Sequence, residues 1–133
     1  MIYLLDTSVL IDLMRHKGPA EDFIASHIGE ELTTSAICEA ELNEGIYREN
    51  ENNIPKRLDE KKKLFEPFSQ IISFDSKQAE IAGQIRADLS LKGSLIGDID
   101  ILIAAAAISQ NATLVTKNTK HFQKIPGLQL LSI

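Results

Sequence analysis

The first eight residues constrain the fold of this chain more than any other stretch. Ile2–Leu5 is a short apolar run that leads directly into Asp6, Thr7 and Ser8. A run of this kind is typical of a strand buried on both faces, as in a parallel sheet that is covered by helices. In open α/β sheets, ligands and chemistry collect at the carboxyl ends of the strands. Asp6 is therefore predicted to lie at an edge where a functional site can form.

The bulk properties of the chain exclude several classes of protein. Its 133 residues are enough to bury a core without disulfides or a structural metal, so we expect a single domain over residues 1–133. The one cysteine, Cys38, excludes a disulfide framework within the chain and fits a reducing cytoplasm. No signal peptide is evident, and the best apolar run, residues 99–108, contains Asp100 and is far shorter than a membrane span of ~20 residues. A net charge of −5 argues against a protein that coats nucleic acid, although a local basic strip remains compatible with binding one.

The order of the predicted elements indicates an α/β fold. Short apolar runs predict five strands, at residues 2–5, 32–34, 70–74, 113–116 and 128–133. Helical patterns are found at residues 9–14, 19–27, 36–50, 56–66, 76–91 and 99–109, and the last is nearly all apolar and therefore expected to be buried. Ser35, Asp75 or Ser76, and Asn111 are the expected helix caps. Strands that alternate with helices are typical of a parallel sheet with helices on both faces.

Four carboxylates stand out, and each has a structural alternative. Asp6 or Thr7 could simply cap the next helix, which is a common position for these residue types. Glu41 lies beside the apolar stripe of its helix, where it either extends to the rim or is held for a ligand. Asp98 is adequately explained as a helix cap, whereas Asp100 lies inside an apolar helix and requires a cation or several donors nearby.

Topology brings these side chains together. Helices that link parallel strands begin at the carboxyl edge of the sheet, because each strand delivers the chain to that edge. Asp6 therefore shares an edge with the first turn of the helix that carries Asp98 and Asp100, and Glu41 is within reach of it. The strand at residues 113–116 ends on the same edge. The predicted edge set is Asp6, Glu41, Asp98, Asp100, Thr116 and Asn118.

The chemistry of this set favours a hard divalent cation. Several acids on one edge repel each other unless a cation intervenes, and oxygen ligands without His or Cys select Mg²⁺ or Mn²⁺ rather than Zn²⁺. Such a cation typically serves phosphoryl transfer. The three histidines, His16, His27 and His121, are expected to lie outside the acidic set. The chain has no phosphate-binding glycine loop, nucleophile elbow or HExxH pattern.

Six stretches along the chain resemble one known family. They are residues 3–8 (YLLDTS), 35–42 (SAICEAEL), 83–89 (GQIRADL), 96–105 (IGDIDILIAA), 114–122 (LVTKNTKHF) and 125–128 (IPGL). Each is weak alone, but in this order and spacing they resemble the PIN-domain ribonucleases, and among them the VapC-type toxins of toxin–antitoxin systems. The match covers essentially the whole chain.

The resemblance implies a PIN-like three-layer α/β/α fold with a short, mostly parallel five-stranded central sheet. It also implies an endoribonuclease that depends on Mg²⁺ or Mn²⁺. Asp6, Glu41 and Asp100 are then the catalytic acids and metal ligands. The family's fourth position, often Asp, falls near Asn118, and Asp98 is the candidate for the missing charge at the metal.

Further expectations concern supporting residues and partners. Thr7 and Thr116 resemble the hydroxyl residues that orient ligands or water in this family. An RNA substrate, a homodimer and inhibition by a small VapB-type antitoxin that inserts into or covers the site are implied too, with no part for a membrane.

Three other functions compete with this interpretation. A phosphatase of the haloacid-dehalogenase type also begins with an apolar strand and an acid, but it requires a second Asp where this chain has Ser8. A PIN-domain enzyme of RNA maturation without an antitoxin would use the same fold and acids. A catalytically weak PIN module that only binds proteins would explain the altered fourth position but not the presence of the first three acids.

Overall fold

The strand that precedes Asp6 is the central strand of the sheet. The computed structural model describes all 133 residues. Its strands are β1 (Ile2–Leu5), β2 (Glu31–Ser35), β3 (Ile71–Ile72), β4 (Thr113–Thr116) and β5 (Gln129–Ser132). The order across the sheet is β3-β2-β1-β4-β5, and every neighbouring pair is parallel. The predicted parallel α/β fold is therefore confirmed.

Seven helices connect and cover these strands. They are α1 (Thr7–Met14), α2 (Gly18–Ser26), α3 (Ala36–Tyr47), α4 (Ile54–Phe65), α5 (Ser76–Leu91), α6 (Asp98–Ser109) and α7 (Thr119–Phe122), with a 3-10 turn at Glu51–Asn53. None of them is both long enough and apolar enough to cross a membrane.

The strand order creates a crevice beside Asp6. From β1 the chain proceeds to β2 and β3 on one side of the sheet, and it returns to place β4 and β5 on the other side. The carboxyl ends of β1 and β4 are neighbours, because Leu5 pairs with Val115 and the Asp6 amide donates to the Val115 carbonyl at 2.9 Å. In open α/β sheets, the point where the strand order reverses is where ligands bind.

Helix α6 contributes much of the core, as its apolar sequence predicts. Ile101, Ile103 and the four alanines of residues 104–107 are buried. The helix packs extensively against α5, and its alanines present little bulk to neighbouring elements. Burial of this helix matters for the site because its first turn carries Asp98 and Asp100.

The expected helix caps are present. The Ser35 hydroxyl accepts a hydrogen bond from the Cys38 amide at 3.1 Å, and the Asp75 carboxylate accepts one from the Gln78 amide at 2.9 Å. Asn111 follows α6 with φ +53°, the left-handed conformation in which helices commonly end. Local sequence therefore determines where α3 and α5 begin and where α6 ends.

Several predicted boundaries are wrong. Strand β3 is shorter than the predicted residues 70–74 and pairs only at Ile71–Ile72, after which the Ser73 carbonyl accepts a hydrogen bond from the Gln78 side chain at the start of α5. Helix α3 stops at Tyr47, and α4 begins at Ile54. The short helix α7 was not predicted, since four residues are too few to show a helical period.

Candidate active site

Asp6 is buried and held by two hydroxyl groups. Its backbone occupies the position that precedes α1, but its side chain makes no capping hydrogen bond. Instead Oδ2 accepts hydrogen bonds from Thr116 Oγ1 at 2.7 Å and from Ser8 Oγ at 3.0 Å, and only 6% of the residue is exposed. The capping alternative is thus wrong for this carboxylate, which is available for another task.

The two hydroxyls are themselves oriented by the backbone that follows β4. Ser8 Oγ accepts a hydrogen bond from the Lys117 amide at 3.2 Å, and Thr116 Oγ1 accepts one from the Asn118 amide at 3.0 Å. Each hydroxyl oxygen therefore receives an N–H and directs its own proton to Asp6. Both hydroxyls bond to Oδ2 of Asp6, and neither bonds to Oδ1.

The electrostatics of Asp6 indicate a site that favours a positive ligand. Burial raises the pKa of Asp6 above its usual value, and the negative charge of Asp100 raises it further. Hydrogen bonds from Thr116, Ser8 and the Thr7 backbone lower the pKa but do not offset the burial. The structure therefore brings Asp6 and Asp100 close enough for their charges to interact.

Glu41 is joined to the site by the first residue of α1. Thr7 Oγ1 donates a hydrogen bond to Glu41 Oε1 at 2.6 Å, across the packed pair of helices α1 and α3. Because Thr7 directly follows Asp6, this bond positions Glu41 beside the end of β1. Glu41 Oε2 has no partner within the protein. The catalytic role of Glu41 and the supporting role of Thr7 stay predictions.

Asp100 has a partner that the sequence did not reveal. Its Oδ2 lies 3.1 Å from Nδ1 of His121, which belongs to α7. The expectation that all three histidines lie outside the acidic set is therefore wrong for His121. The sequence offered no local signal, because His121 approaches Asp100 only through the unpredicted turn of α7.

The two candidates for the family's fourth acidic position, Asp98 and Asn118, lie apart from the other acids. Asp98 is 74% exposed and its carboxylate pairs with Arg86 at 2.9 Å. Asn118 precedes α7 but its side chain does not cap that helix, and only its backbone amide bonds to Thr116. Asp98 and Asn118 thus make no side-chain contact with the other acids, and a metal role for either stays a prediction.

An ion pair between a buried aspartate and an exposed lysine holds the loop that orients the hydroxyls. Asp12 of α1 is nearly buried, and its carboxylate pairs with Lys117 Nζ at 2.6 Å and approaches Lys17 Nζ at 4.0 Å. Ser8 and Asp12 are one helical turn apart on α1. Ser8 binds the backbone amide of Lys117, and Asp12 binds the side chain of the same lysine. Sequence reasoning missed Asp12, because one acid on an amphipathic helix predicts only a solvated position.

Replacing Lys117 with methionine is expected to destabilise the fold by about 1–2 kcal/mol, because Asp12 then keeps only the more distant Lys17 as its cation. Urea unfolding followed by circular dichroism measures the change. Lys63→Met serves as the matched control, since its pair with Asp59 is largely exposed and contributes little. Equal stability of the two variants would show that the Asp12–Lys117 pair does not hold this loop.

The oxygen donors suit a magnesium-like cation that is only partly bound by protein. No group of three or more His, Cys, Asp or Glu side chains is close enough to form a complete cage. Mg²⁺ usually binds one or two carboxylates and completes its coordination with water and substrate phosphates. Asp6 and Asp100, which interact electrostatically, are the pair of carboxylates that could hold such a cation.

Comparison with known proteins gives one consistent family across the whole chain. The model of the PIN domain family matches residues 3–128. The chain is 35% identical over 130 residues to ribonuclease VapC2 of Rickettsia felis, which covers 98% of this chain and 96% of that protein. It is 31% identical over 132 residues to the tRNA(fMet)-specific endonuclease VapC of Salmonella typhimurium, covering 96% and 95% of the two chains.

Solved structures show the same similarity in three dimensions. A chain in the crystal structure of VapBC2 from Rickettsia felis bound to a promoter DNA fragment superposes with a TM-score of 0.92 at 31% identity, covering 100% of this chain and 99% of that one. For DNA-bound VapBC from Salmonella typhimurium the TM-score is 0.89 at 26% identity, with coverage of 99% and 98%. For FitAcB from Neisseria gonorrhoeae it is 0.85 at 29% identity, with coverage of 98% and 96%.

Proposed function

Because the chain belongs to the PIN-domain family, in the group of the VapC ribonucleases, we propose that it is a divalent-metal-dependent endoribonuclease that acts as a toxin. It would hydrolyse RNA phosphodiester bonds and be neutralised by a VapB-type antitoxin. The observation that carries the proposal is the environment of Asp6, a buried carboxylate that Ser8 and Thr116 hold at the end of β1 and whose pKa is raised by burial and by the charge of Asp100. Ionised groups are rarely kept in such surroundings unless a ligand compensates them.

The proposed site uses the chain's own residues in distinct roles. Asp6 Oδ1 and the Asp100 carboxylate would hold Mg²⁺ or Mn²⁺, while Ser8 and Thr116 fix the orientation of Asp6 through Oδ2. His121, at 3.1 Å from Asp100 Oδ2, would fix the orientation of that second carboxylate. When bound, such a cation lowers the pKa of water and neutralises the charge that develops on phosphate.

Glu41 is the proposed proton acceptor. Thr7 holds its Oε1 at 2.6 Å, and Oε2 stays free to accept a proton from the attacking water or to join the cation's ligands. The negative charges of Asp6, Glu41 and Asp100 would repel an RNA phosphate without a cation. The proposed reaction therefore requires the divalent ion for substrate binding as well as for chemistry.

The proposed antitoxin partner rests on the relatives. The structures from Rickettsia felis and Salmonella typhimurium are described as VapBC assemblies bound to DNA. A PIN-domain nuclease of RNA maturation would have the same site without that partner. What separates the two functions is a short reading frame for a DNA-binding antitoxin immediately upstream of this one. Its presence supports the toxin, and its absence favours the maturation enzyme.

We also propose that the protein is a homodimer in the cytoplasm. Three large apolar side chains near the connection of α5 and α6, Leu91, Leu95 and Ile99, are exposed and offer an apolar surface for self-association. The free and buried thiol of Cys38 is compatible with a reducing compartment.

Purified protein incubated with RNA and Mg²⁺ is expected to give discrete cleavage fragments, which gel electrophoresis and end mapping would resolve. The Salmonella relative is named as specific for tRNA(fMet), so initiator tRNA is the first substrate to test beside bulk RNA. Asp6→Asn protein purified in parallel controls for contaminating ribonucleases. Equal fragment patterns from both preparations, or no cleavage of any RNA, would exclude the proposed activity.

A further inference from the structure

We propose that Asp12 and Lys117 form a positioning pair for the candidate cation site. The pair holds the loop after β4 against α1, which keeps two hydroxyls directed at Asp6 and so raises the affinity of the site for a divalent cation. The inference deepens the proposed ribonuclease function and rests on it. In this proposal neither residue of the pair binds the cation itself, since both act through Ser8 and Thr116.

Two consecutive backbone amides fix the hydroxyls on Asp6. The amide of Lys117 donates to Ser8 Oγ at 3.2 Å, and the amide of Asn118 donates to Thr116 Oγ1 at 3.0 Å. Both hydroxyls donate in turn to the same oxygen, Asp6 Oδ2, at 3.0 Å and 2.7 Å. A displacement of residues 117 and 118 would therefore disturb both hydroxyl donors of this carboxylate at the same time.

The loop that carries these amides is exposed, so its position depends on what anchors it. Lys117 and Asn118 are exposed, whereas Thr116 before them is buried. The side chain of Lys117 returns to α1, where its Nζ lies 2.6 Å from Asp12 Oδ2. A hydrogen bond between an ammonium and a carboxylate is roughly twice as strong as one between neutral groups. The side chain of Lys117 thus anchors the residue whose amide orients Ser8.

Helix α1 provides a fixed base for this anchor. Leu10 is fully buried, and its amide donates to the Asp6 carbonyl at 3.1 Å. Ser8 and Asp12 lie one turn apart on the same side of the helix, so α1 holds Lys117 at two points, the amide and the ammonium. The position of the loop is thereby tied to the helix that begins directly after Asp6.

A second lysine near Asp12 separates positioning from charge compensation alone. Lys17 directly precedes α2, and its Nζ lies 4.0 Å from Asp12 Oδ1. Both lysines compensate the charge of the same buried carboxylate. Of the two, only Lys117 belongs to the segment that bonds to the hydroxyls on Asp6. Removal of one lysine or the other therefore tests the loop against the charge.

The sign of the expected effect separates positioning from Coulomb attraction. Removal of the positive charge of Lys117 would by electrostatics alone strengthen the binding of a nearby cation. Loss of the anchor acts in the opposite direction, because the hydroxyls no longer fix the orientation of Asp6. Weaker cation binding by Lys117→Met thus supports positioning, and equal or tighter binding contradicts it.

Isothermal titration calorimetry with Mn²⁺ in the absence of RNA measures the affinity of the site independently of turnover. Lys117→Met is expected to bind Mn²⁺ about fivefold more weakly than the wild type, less than the ~10–100-fold that the loss of a direct outer-shell partner costs. Lys117→Arg keeps the charge and should restore most of the affinity, because a guanidinium can still bond to Asp12. Lys17→Met is the matched control and should bind Mn²⁺ at least as tightly as the wild type.

A double-mutant cycle tests the route through Ser8. Ser8→Ala removes one hydroxyl donor to Asp6 and is expected to weaken Mn²⁺ binding about tenfold. If Lys117 acts through Ser8, Lys117→Met should cost less affinity in the Ser8→Ala background than in the wild type. Hydrogen exchange of the Asn118 amide, followed by NMR without metal, should accelerate in Lys117→Met and stay unchanged in Lys17→Met.

The outcomes separate the positioning pair from the ribonuclease proposal. If the wild type neither binds Mn²⁺ nor cleaves RNA, both proposals fail, and if it cleaves RNA without binding Mn²⁺, the positioning pair fails. Binding of Mn²⁺ without cleavage of RNA removes the ribonuclease proposal alone.

The variants then decide on the pair itself. If the wild type binds Mn²⁺ and Lys117→Met binds it equally well, the positioning pair is overturned and the ribonuclease stands. Lys117→Gln replaces Lys117→Met in the comparison if circular dichroism shows that Lys117→Met is unfolded. If Lys17→Met loses as much affinity as Lys117→Met, the charge balance at Asp12 rather than the loop sets the affinity, and the positioning pair is likewise overturned.

Discussion

Asp6→Asn is expected to reduce RNA cleavage by about 100-fold or more while making the folded protein more stable at neutral pH. The loss follows because asparagine removes one negative ligand of the proposed cation, whose stabilisation of the transition state amounts to several kcal/mol. The asparagine Oδ1 can still accept the hydrogen bonds from Ser8 and Thr116, so the local structure should persist. Single-turnover cleavage in saturating Mg²⁺ measures the effect.

The gain in stability follows from the sign of the pKa shift. The pKa of Asp6 is raised in the folded state above 3.8, so the folded state retains its proton to a higher pH than the unfolded state. The stability that Asp6 contributes is fully present below pH 3.8 and is lost as the pH rises through the raised pKa of the folded state. Asparagine does not titrate and avoids this loss.

Urea unfolding in chelator tests this expectation at two pH values. The stability advantage of Asp6→Asn over the wild type should be larger at neutral pH than near pH 3.8. A variant that is both active and less stable at neutral pH would refute the assignment of Asp6 as a buried, ionised ligand. A variant that is inactive because it is unfolded is recognised by the same unfolding curves.

Asp100→Asn and Asp98→Asn form the second test, because they remove the same charge from one helix two residues apart. Asp100 interacts with Asp6 and contacts His121, whereas Asp98 is exposed and pairs with Arg86. We expect Asp100→Asn to lose about 100-fold in cleavage and to need more Mg²⁺ for half-maximal activity. Asp98→Asn should stay within about threefold of the wild type, as an exposed ion pair contributes little.

A Mg²⁺ titration of cleavage by both variants decides between the two aspartates. If Asp98→Asn loses activity and Asp100→Asn retains it, then Asp98 rather than Asp100 holds the cation, and the assignment of Asp100 is wrong. Equal losses would mean that both carboxylates reach the cation and that the pair of Asp98 with Arg86 opens when the metal binds.

The site residues that the sequence predicts are those with strong local signals. Asp6 could be identified because an apolar run ends at it, and the parallel sheet then determines which helix termini share its edge. Glu41 could be selected from its place beside the apolar stripe of α3. Asp100 was recognised because a carboxylate within a buried apolar helix requires compensation.

The contacts that were not predicted are those made between distant elements by short or irregular segments. His121 reaches Asp100 from a four-residue helix that shows no periodicity. Asp12 and Lys117 pair although they lie far apart in the sequence, and neither has a distinctive local pattern. Strand β3 ends at Ile72, beside a hydrogen bond from Gln78 to the Ser73 carbonyl that the apolar sequence of the strand does not reveal. Tertiary contacts of this kind are absent from local propensity.

The most direct measurement of the central claim is RNA cleavage by the wild-type protein after metal removal. Protein treated with EDTA and exchanged into metal-free buffer is predicted to leave RNA intact, and added Mg²⁺ or Mn²⁺ is predicted to restore the original fragment pattern, since oxygen ligands select hard cations. Asp6→Asn protein should remain inactive under the same additions. Cleavage that persists unchanged in EDTA would contradict a site in which Asp6 and Asp100 act through a divalent cation.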